Sequence, residues 1–83
     1  QAQDREQARQ LKAKLSGAEK EIARLQAECA AVDAALIDPA AAAGTLAGQP
    51  LDELARKRAA LTRELEAAEA LWLELGERVE ALG

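Results

Sequence analysis

The sequence predicts an all-α protein, an antiparallel two-helix coiled-coil hairpin with a short helical turn at its tip. Two observations predict this fold. Apolar residues recur at alternating three- and four-residue steps in two long stretches, which is the heptad pattern of coiled-coil helices. The segment between them, 38–50, contains both prolines and two of the five glycines, so the helical pattern stops there and the chain can turn back.

The first helix is predicted over about residues 4–37. Its apolar positions are Ala8, Leu11, Leu15, Ala18, Ile22, Leu25, Cys29, Val32 and Leu36. Asp4 with Gln7 is a plausible capping start. Ser16 and Glu19 repeat the capping signature around Gly17, whose cost inside a helix is about 1 kcal/mol, so a second helix start is an alternative. The heptad phase continues through this point, which favours one helix with a soft point there.

The tip, 38–50, is predicted to contain one short helical turn. Asp38 is typical of a helix-capping residue, and the proline after it of a first helical position. An alanine run follows, and Gly44 is typical of a helix stop. Leu46 is the only large apolar residue between the two prolines. We expect it to fold back over the hairpin end, near Leu36 or Leu51.

The second helix is predicted over about residues 51–82, opened by Pro50 and with Asp52 and Glu53 complementing its macrodipole. Its apolar positions are Leu51, Leu54, Leu61, Leu65, Ala68, Trp72, Leu75, Val79 and Leu82. Arg58 fills the remaining heptad slot, where its aliphatic stem can cover the apolar seam while the guanidinium reaches water. Such a polar residue usually fixes the register.

Two registers are possible, in which the numbers of facing residues sum to 90 or to 83. The sum of 90 places Trp72 opposite Ala18, whereas the sum of 83 places Trp72 opposite Leu11 and leaves Leu36 and Leu82 without helical partners. Surface ion pairs favour the sum of 83, but each is worth only about 0.3 to 0.5 kcal/mol. Because a buried leucine contributes about 1.5 to 3 kcal/mol, we predict the sum of 90.

Composition excludes several classes of function. The 83 residues form one domain of modest stability, and the start at Gln1 with no methionine suggests a fragment of a longer protein. Without histidine there is no Cys/His metal set, and no glycine-rich phosphate loop or activated nucleophile is present, so we expect neither an enzyme nor a cofactor.

Cys29 is expected to be a buried thiol, and a lone cysteine fits the cytoplasm. No apolar run is long enough for a membrane span, which predicts a soluble chain.

The net charge of −4 argues against strong nonspecific polyanion binding, but the basic charge is local. One basic cluster near the predicted tip contains no acidic residue: Arg56, Lys57, Arg58 and Arg63. These side chains are candidates for weak, salt-sensitive phosphate contact. The alternative is a solvated helix face paired with nearby acids, namely Glu28, Asp33 and Glu53. Weaker basic sets lie on the first helix: Arg5, Arg9 and Lys12, and the pair Lys20 and Arg24.

A second candidate surface is apolar. Trp72, the only aromatic residue, is first a packing residue, but one partner helix cannot cover both Leu71 and Leu73 beside it. These three residues predict a docking patch for a larger protein body or for a second copy.

Two stretches, 21–39 and 54–77, resemble the C-terminal coiled-coil extension of ABC-F proteins, including the Uup-like branch. The most specific pieces are the Ala-Leu-x-Asp-Pro ending at Ala35 to Pro39 and the Trp-x-x-Leu turn at Trp72 to Leu75. The resemblance implies two ATP-binding cassettes in a missing part, a cytoplasmic location, and action on ribosomes or nucleic acid. The chain departs from the Uup pattern in its net acidity and in Leu71, which stands where an arginine precedes the tryptophan. Both departures weaken DNA binding specifically.

We therefore expect a non-catalytic arm of an ABC-F-type ATPase that contacts DNA or ribosomal RNA near the hairpin tip. Its expected partners are nucleic acid, its own ATPase domains and a possible second copy. The alternative is a structural spacer or oligomerisation coiled coil with no nucleic-acid role.

Overall fold

The computed structural model describes residues 2–83, and it consists of two long helices that pack antiparallel. Helix α1 spans Ala2–Ile37 and helix α2 spans Leu51–Leu82. Together they form a rod of 57 × 18 × 13 Å. The predicted all-α hairpin is confirmed.

Helix α1 runs through Ser16 and Gly17 without a break, so the one-helix prediction is confirmed. A Cβ added at Gly17 would meet no atom within 4 Å, so packing does not require a glycine there. The helix begins at Ala2, which places Asp4 inside the first turn and not at the capping position that we predicted for it.

The tip contains two 3₁₀ turns, Pro39–Ala41 and Gly44–Leu46, where the sequence predicted one. The Asp38 side chain makes no capping hydrogen bond, and its carbonyl oxygen instead accepts from the N–H of Ala41 at 3.0 Å. The predicted helix stop, Gly44, is the first residue of the second turn, and its φ of +63° is one that glycine adopts readily. Pro50 lies just before α2 in an extended conformation, and its carbonyl oxygen accepts from Leu54 N at 3.1 Å.

Leu46 folds back onto the helices, as predicted, and packs against the core. With the alanines of the tip it lies over Val32 and Ala35 of α1. Leu51, an expected seam residue, remains 57% exposed, because the position opposite it in this register lies beyond the end of α1 at Ile37. Ala35 lies off the predicted seam and is buried, with tip residues against it.

The hydrophobic core lies at the tip end of the rod. Its buried members are Leu25, Cys29, Val32, Ala35, Leu54 and Leu61. We call this end, residues 23–67, the tip half, and the remainder, 2–22 with 68–82, the open half. In the open half only Ala18 and Leu75 are buried.

Contacts between the helices match the register whose facing numbers sum to 90. Arg58 bonds to Cys29 and Asp33, and Trp72 bonds to Glu19. The numbers of these pairs sum to between 87 and 91. A sum of 83 would have placed Arg58 opposite Leu25, which the structure does not show.

Candidate nucleic-acid interface and apolar groove

The four predicted phosphate-contact residues do not form one common surface. Arg56 and Arg63 occupy the heptad position that faces away from α1, about 10 Å apart along the helix axis. Arg58 lies in the seam, and Lys57, about 100° around the helix from it, lies to one side of the seam. The helix therefore divides the cluster among three directions.

Arg58 is engaged in contacts with α1 and with its own helix. Its Nε donates to Asp33 Oδ1 at 2.7 Å, and its Nη1 lies 3.3 Å from Cys29 Sγ and 2.8 Å from Thr62 Oγ1. The hydrogen bond to the Asp33 carboxylate raises the pKa of the Arg58 guanidinium above its ordinary value. These contacts give Arg58 a structural role that joins the two helices.

Arg56 is bonded to acidic residues of its own helix. Its guanidinium bonds to Glu53, one turn earlier, and to Asp52 Oδ2 at 3.3 Å. The side chain is still two-thirds exposed, so these pairs are weak and can exchange with an external anion.

Within residues 2–83, Lys57 and Arg63 make no ion pair. Lys57 is half-buried and lines a shallow cavity of about 260 Å³ together with Glu28 and the tip residues Thr45 and Leu46. Arg63 is exposed on the outer face of α2. Both side chains are therefore available to bind an external anion.

Basic residues of α1 pair partly within that helix. Arg9 bonds to Glu6, while Arg24 bonds to Glu21 and, at 2.6 Å, to Glu28 Oε2. The hydrogen bond from Arg24 holds the pKa of the Glu21 carboxyl below its ordinary value. Glu28 therefore pairs with its own helix and not with the tip cluster.

The predicted docking patch is exposed. Leu71, Trp72 and Leu73 are 48%, 38% and 57% exposed, although Trp72 is a seam residue. The indole Nε1 of Trp72 donates to Glu19 Oε2 at 3.3 Å across the helices. Leu71 and Leu73 project on opposite sides of the seam, so the patch is split into two surfaces.

Leu73 lies on one of these surfaces, which we call the Trp72 groove. Two adjoining cavities of about 310 and 380 Å³ form it. Its apolar lining consists of Leu15, Ile22, Trp72, Leu73 and Val79, and its acidic rim of Glu19, Glu69, Glu77 and Glu80. No basic side chain lines either cavity in the described part of the chain.

The acidic rim was not predicted from the heptad pattern. Glu69 and Gly76 share the heptad position beside the Trp72 seam, and Glu19 holds the equivalent position on α1. Gly76, which flanks the seam one turn after Trp72, could have indicated the groove, since a glycine has no side chain to cover the seam.

Other kinds of site find no support among residues 2–83. The described acidic and cysteine side chains form no group of three or more that could hold a metal ion. None of the described helices combines the length and the apolar character needed to cross a bilayer.

Comparison with protein-family models, with curated proteins and with solved structures returns no significant match. The resemblance to ABC-F extensions therefore rests on the two sequence motifs quoted above.

Proposed function

We propose that this hairpin is a non-catalytic C-terminal arm of an ABC-F-type ATPase that contacts DNA or ribosomal RNA near its tip. The observation that carries the proposal is a run of basic residues, unbroken by acidic residues in the sequence, on one helix near the tip of a long rod. Arg56, Lys57 and Arg63 are its contact residues. Arg58 is excluded from this set because its guanidinium bonds to Asp33.

Three phosphate contacts give weak binding with a modest salt dependence. For duplex DNA, three neutralised phosphates predict that the association constant falls about 40-fold between 50 and 200 mM salt. No aromatic side chain accompanies the cluster, so stacking on single-stranded bases does not contribute.

Fluorescence anisotropy with duplex DNA and with a structured RNA, over a salt series, tests this proposal. The variant carries Arg56→Glu, Lys57→Glu and Arg63→Glu. A matched control carries the same charge change at the open end: Arg5→Glu, Arg9→Glu and Lys12→Glu. We expect the tip variant to lose binding and salt dependence while the control retains most of both. Equal binding by the unchanged chain and the tip variant, for both ligands, would exclude tip contact.

The ABC-F assignment is tested separately, by determining which domains are encoded upstream of Gln1. We expect two ATP-binding cassettes there, each with its phosphate-binding loop. A different domain in that place would remove the ABC-F assignment and leave the tip-contact test unaffected.

A second candidate function is a spacer or oligomerisation module, which the exposure of Leu71, Trp72 and Leu73 favours. Sedimentation equilibrium discriminates between the two candidates. A dimer that binds neither nucleic acid would favour the second candidate, and a monomer that binds one of them would favour the first.

A further inference from the structure

We propose that the Trp72 groove joins two copies of this chain face to face in an antiparallel four-helix bundle. This inference rests on the second candidate function and names the surface, the partner and its orientation. It is independent of nucleic-acid contact, because the groove lies in the open half of the rod and the basic cluster lies near the tip.

The exposed area of a single chain is large enough to include an interface with a second copy. The hairpin exposes 5877 Å². A compact monomer of 8.8 kDa is expected to expose about 4,800 Å², so the rod carries about 1,100 Å² of additional surface. A standard protein interface covers about 800 Å² on each partner, which is within this excess.

Charge determines which orientation the two copies take. On the side of α1 that borders the groove, toward its N-terminus, Arg9 and Lys12 are exposed. On α2, residues at the same level along the rod have numbers near 80, and they include the rim residues Glu77 and Glu80. A two-fold axis along the rod therefore places Arg9 and Lys12 of each copy beside Glu77 and Glu80 of the other, at the C-terminal end of the acidic rim.

Shape supports the same orientation. The two-fold axis brings Leu73 of one copy to the level of Ser16 on the partner, where a small side chain leaves room for leucine. Gly76 opens the groove on α2, and a Cβ added there would meet no atom within 4 Å of the single chain. A glycine inside a helix lowers its stability by about 1 kcal/mol relative to alanine. Close approach of a second helix at this position would explain why a glycine is present.

Each helix then has antiparallel neighbours on two sides, as in up-and-down four-helix bundles. Leu73 and Trp72 become central residues of the interface, since α1 of the partner covers the groove. The hairpin tips remain free at one end of the bundle.

Sedimentation equilibrium of the 83-residue chain, with matched single variants, tests this proposal. Leu73→Glu places a charge in the groove, and Leu71→Glu places the same charge at an exposed leucine on the other side of the seam. We expect Leu73→Glu to raise the dimer dissociation constant at least about tenfold, because a buried unpaired charge is costly, and Leu71→Glu to change it less than about threefold. Both residues are exposed in the single chain, so the helical circular dichroism spectrum is expected to persist.

A charge exchange tests the orientation with exposed residues alone. Lys12→Glu and Glu77→Lys are each expected to weaken the dimer, and the double variant is expected to restore it. A chain that is monomeric over the accessible concentration range overturns the proposal, as do equal effects of the two leucine variants or additive weakening by the charge pair. The two functions are tested separately. The tip variant is expected to dimerise even if it no longer binds nucleic acid, and Leu73→Glu is expected to bind nucleic acid even if it no longer dimerises.

Discussion

The two halves of the hairpin carry the same heptad pattern but bury it to different extents. In the tip half, Leu25, Val32 and Leu54 are almost completely buried. In the open half, Trp72 and Leu82 occupy equivalent seam positions and are more than a third exposed. A heptad pattern therefore predicts where two helices meet, and additional contacts decide how completely water is excluded.

The additional contacts in the tip half come from the tip and from Arg58. Leu46 and its neighbouring alanines form a third layer over Val32 and Ala35. Arg58 closes one side of the seam through Asp33 and Cys29. The open half has no third layer among the described residues, and a flanking glycine leaves its seam accessible.

The largest expected effect is from truncating a buried leucine in each half. Leu54 and Leu75 are 0% and 3% exposed, so their surface burial is nearly the same. Large-to-small core substitutions cost about 2 to 5 kcal/mol, depending on how well the site can collapse. We expect Leu54→Ala near the upper end of this range and Leu75→Ala near the lower end, because Leu75 lies outside the tip core. Urea unfolding followed by circular dichroism measures both.

All leucine variants are compared at one protein concentration, since self-association adds to apparent stability. Leu82→Ala, at an exposed seam position, is the control and is expected to cost less than about 0.5 kcal/mol. Equal losses for Leu54→Ala and Leu75→Ala would show that the two halves are equally well packed.

The sequence predicted the helices, the register and the exposure of Leu71 and Leu73, because all three depend on a short-range repeat, but it predicted one apolar patch where the structure has two surfaces. The burial of Ala35 was not predictable from that repeat, since Ala35 lies off the seam and the tip residues pack against it.

The sequence named Asp33 and Glu53 as possible partners of the basic cluster, and the structure pairs them with Arg58 and Arg56, respectively. The order of charges along a helix did not show which cation each acid contacts or that Lys57 makes no ion pair with any of the described residues.

The second prediction compares how readily the tip half and the open half open locally, as measured by the rate of thiol labelling. Cys29 is buried in the tip core and serves as a natural probe. A Cys29→Ser, Ala18→Cys variant moves the single thiol to a buried position of the open half. We expect labelling at residue 18 to be about tenfold faster or more, as a difference of about 1.4 kcal/mol in local opening would give. Similar rates would indicate that the hairpin opens as one unit.

The third prediction concerns glycines in the tip and in a helix. Gly48 has a φ of +77°, which an alanine adopts only with strain, so Gly48→Ala is expected to lower the free energy of unfolding by about 1 kcal/mol. Gly17 has open space inside α1, so Gly17→Ala is expected to raise it by about 0.5 to 1 kcal/mol. Thermal unfolding of the two variants checks the opposite signs. Destabilisation by Gly17→Ala would mean that this glycine has a contact which the single hairpin does not show.

The smallest expected effect is the coupling between Arg58 and Asp33, measured by a double-mutant cycle with Arg58→Ala and Asp33→Ala. We expect a favourable coupling that is smaller than the loss from Leu54→Ala, because both side chains remain partly exposed to solvent. The matched cycle in the open half uses Glu19→Ala and Trp72→Phe, and its longer, exposed hydrogen bond should couple still more weakly. The hydrogen bond to Asp33 raises the pKa of Arg58 in the folded chain, so titration of Arg58 does not change the contribution of this bond below the ordinary pKa of arginine. It disappears only as the pH rises through the raised value. The cost of Asp33→Asn should therefore stay constant between about pH 6 and about pH 10, and a change in that window would show that another titrating group controls the contact between the helices.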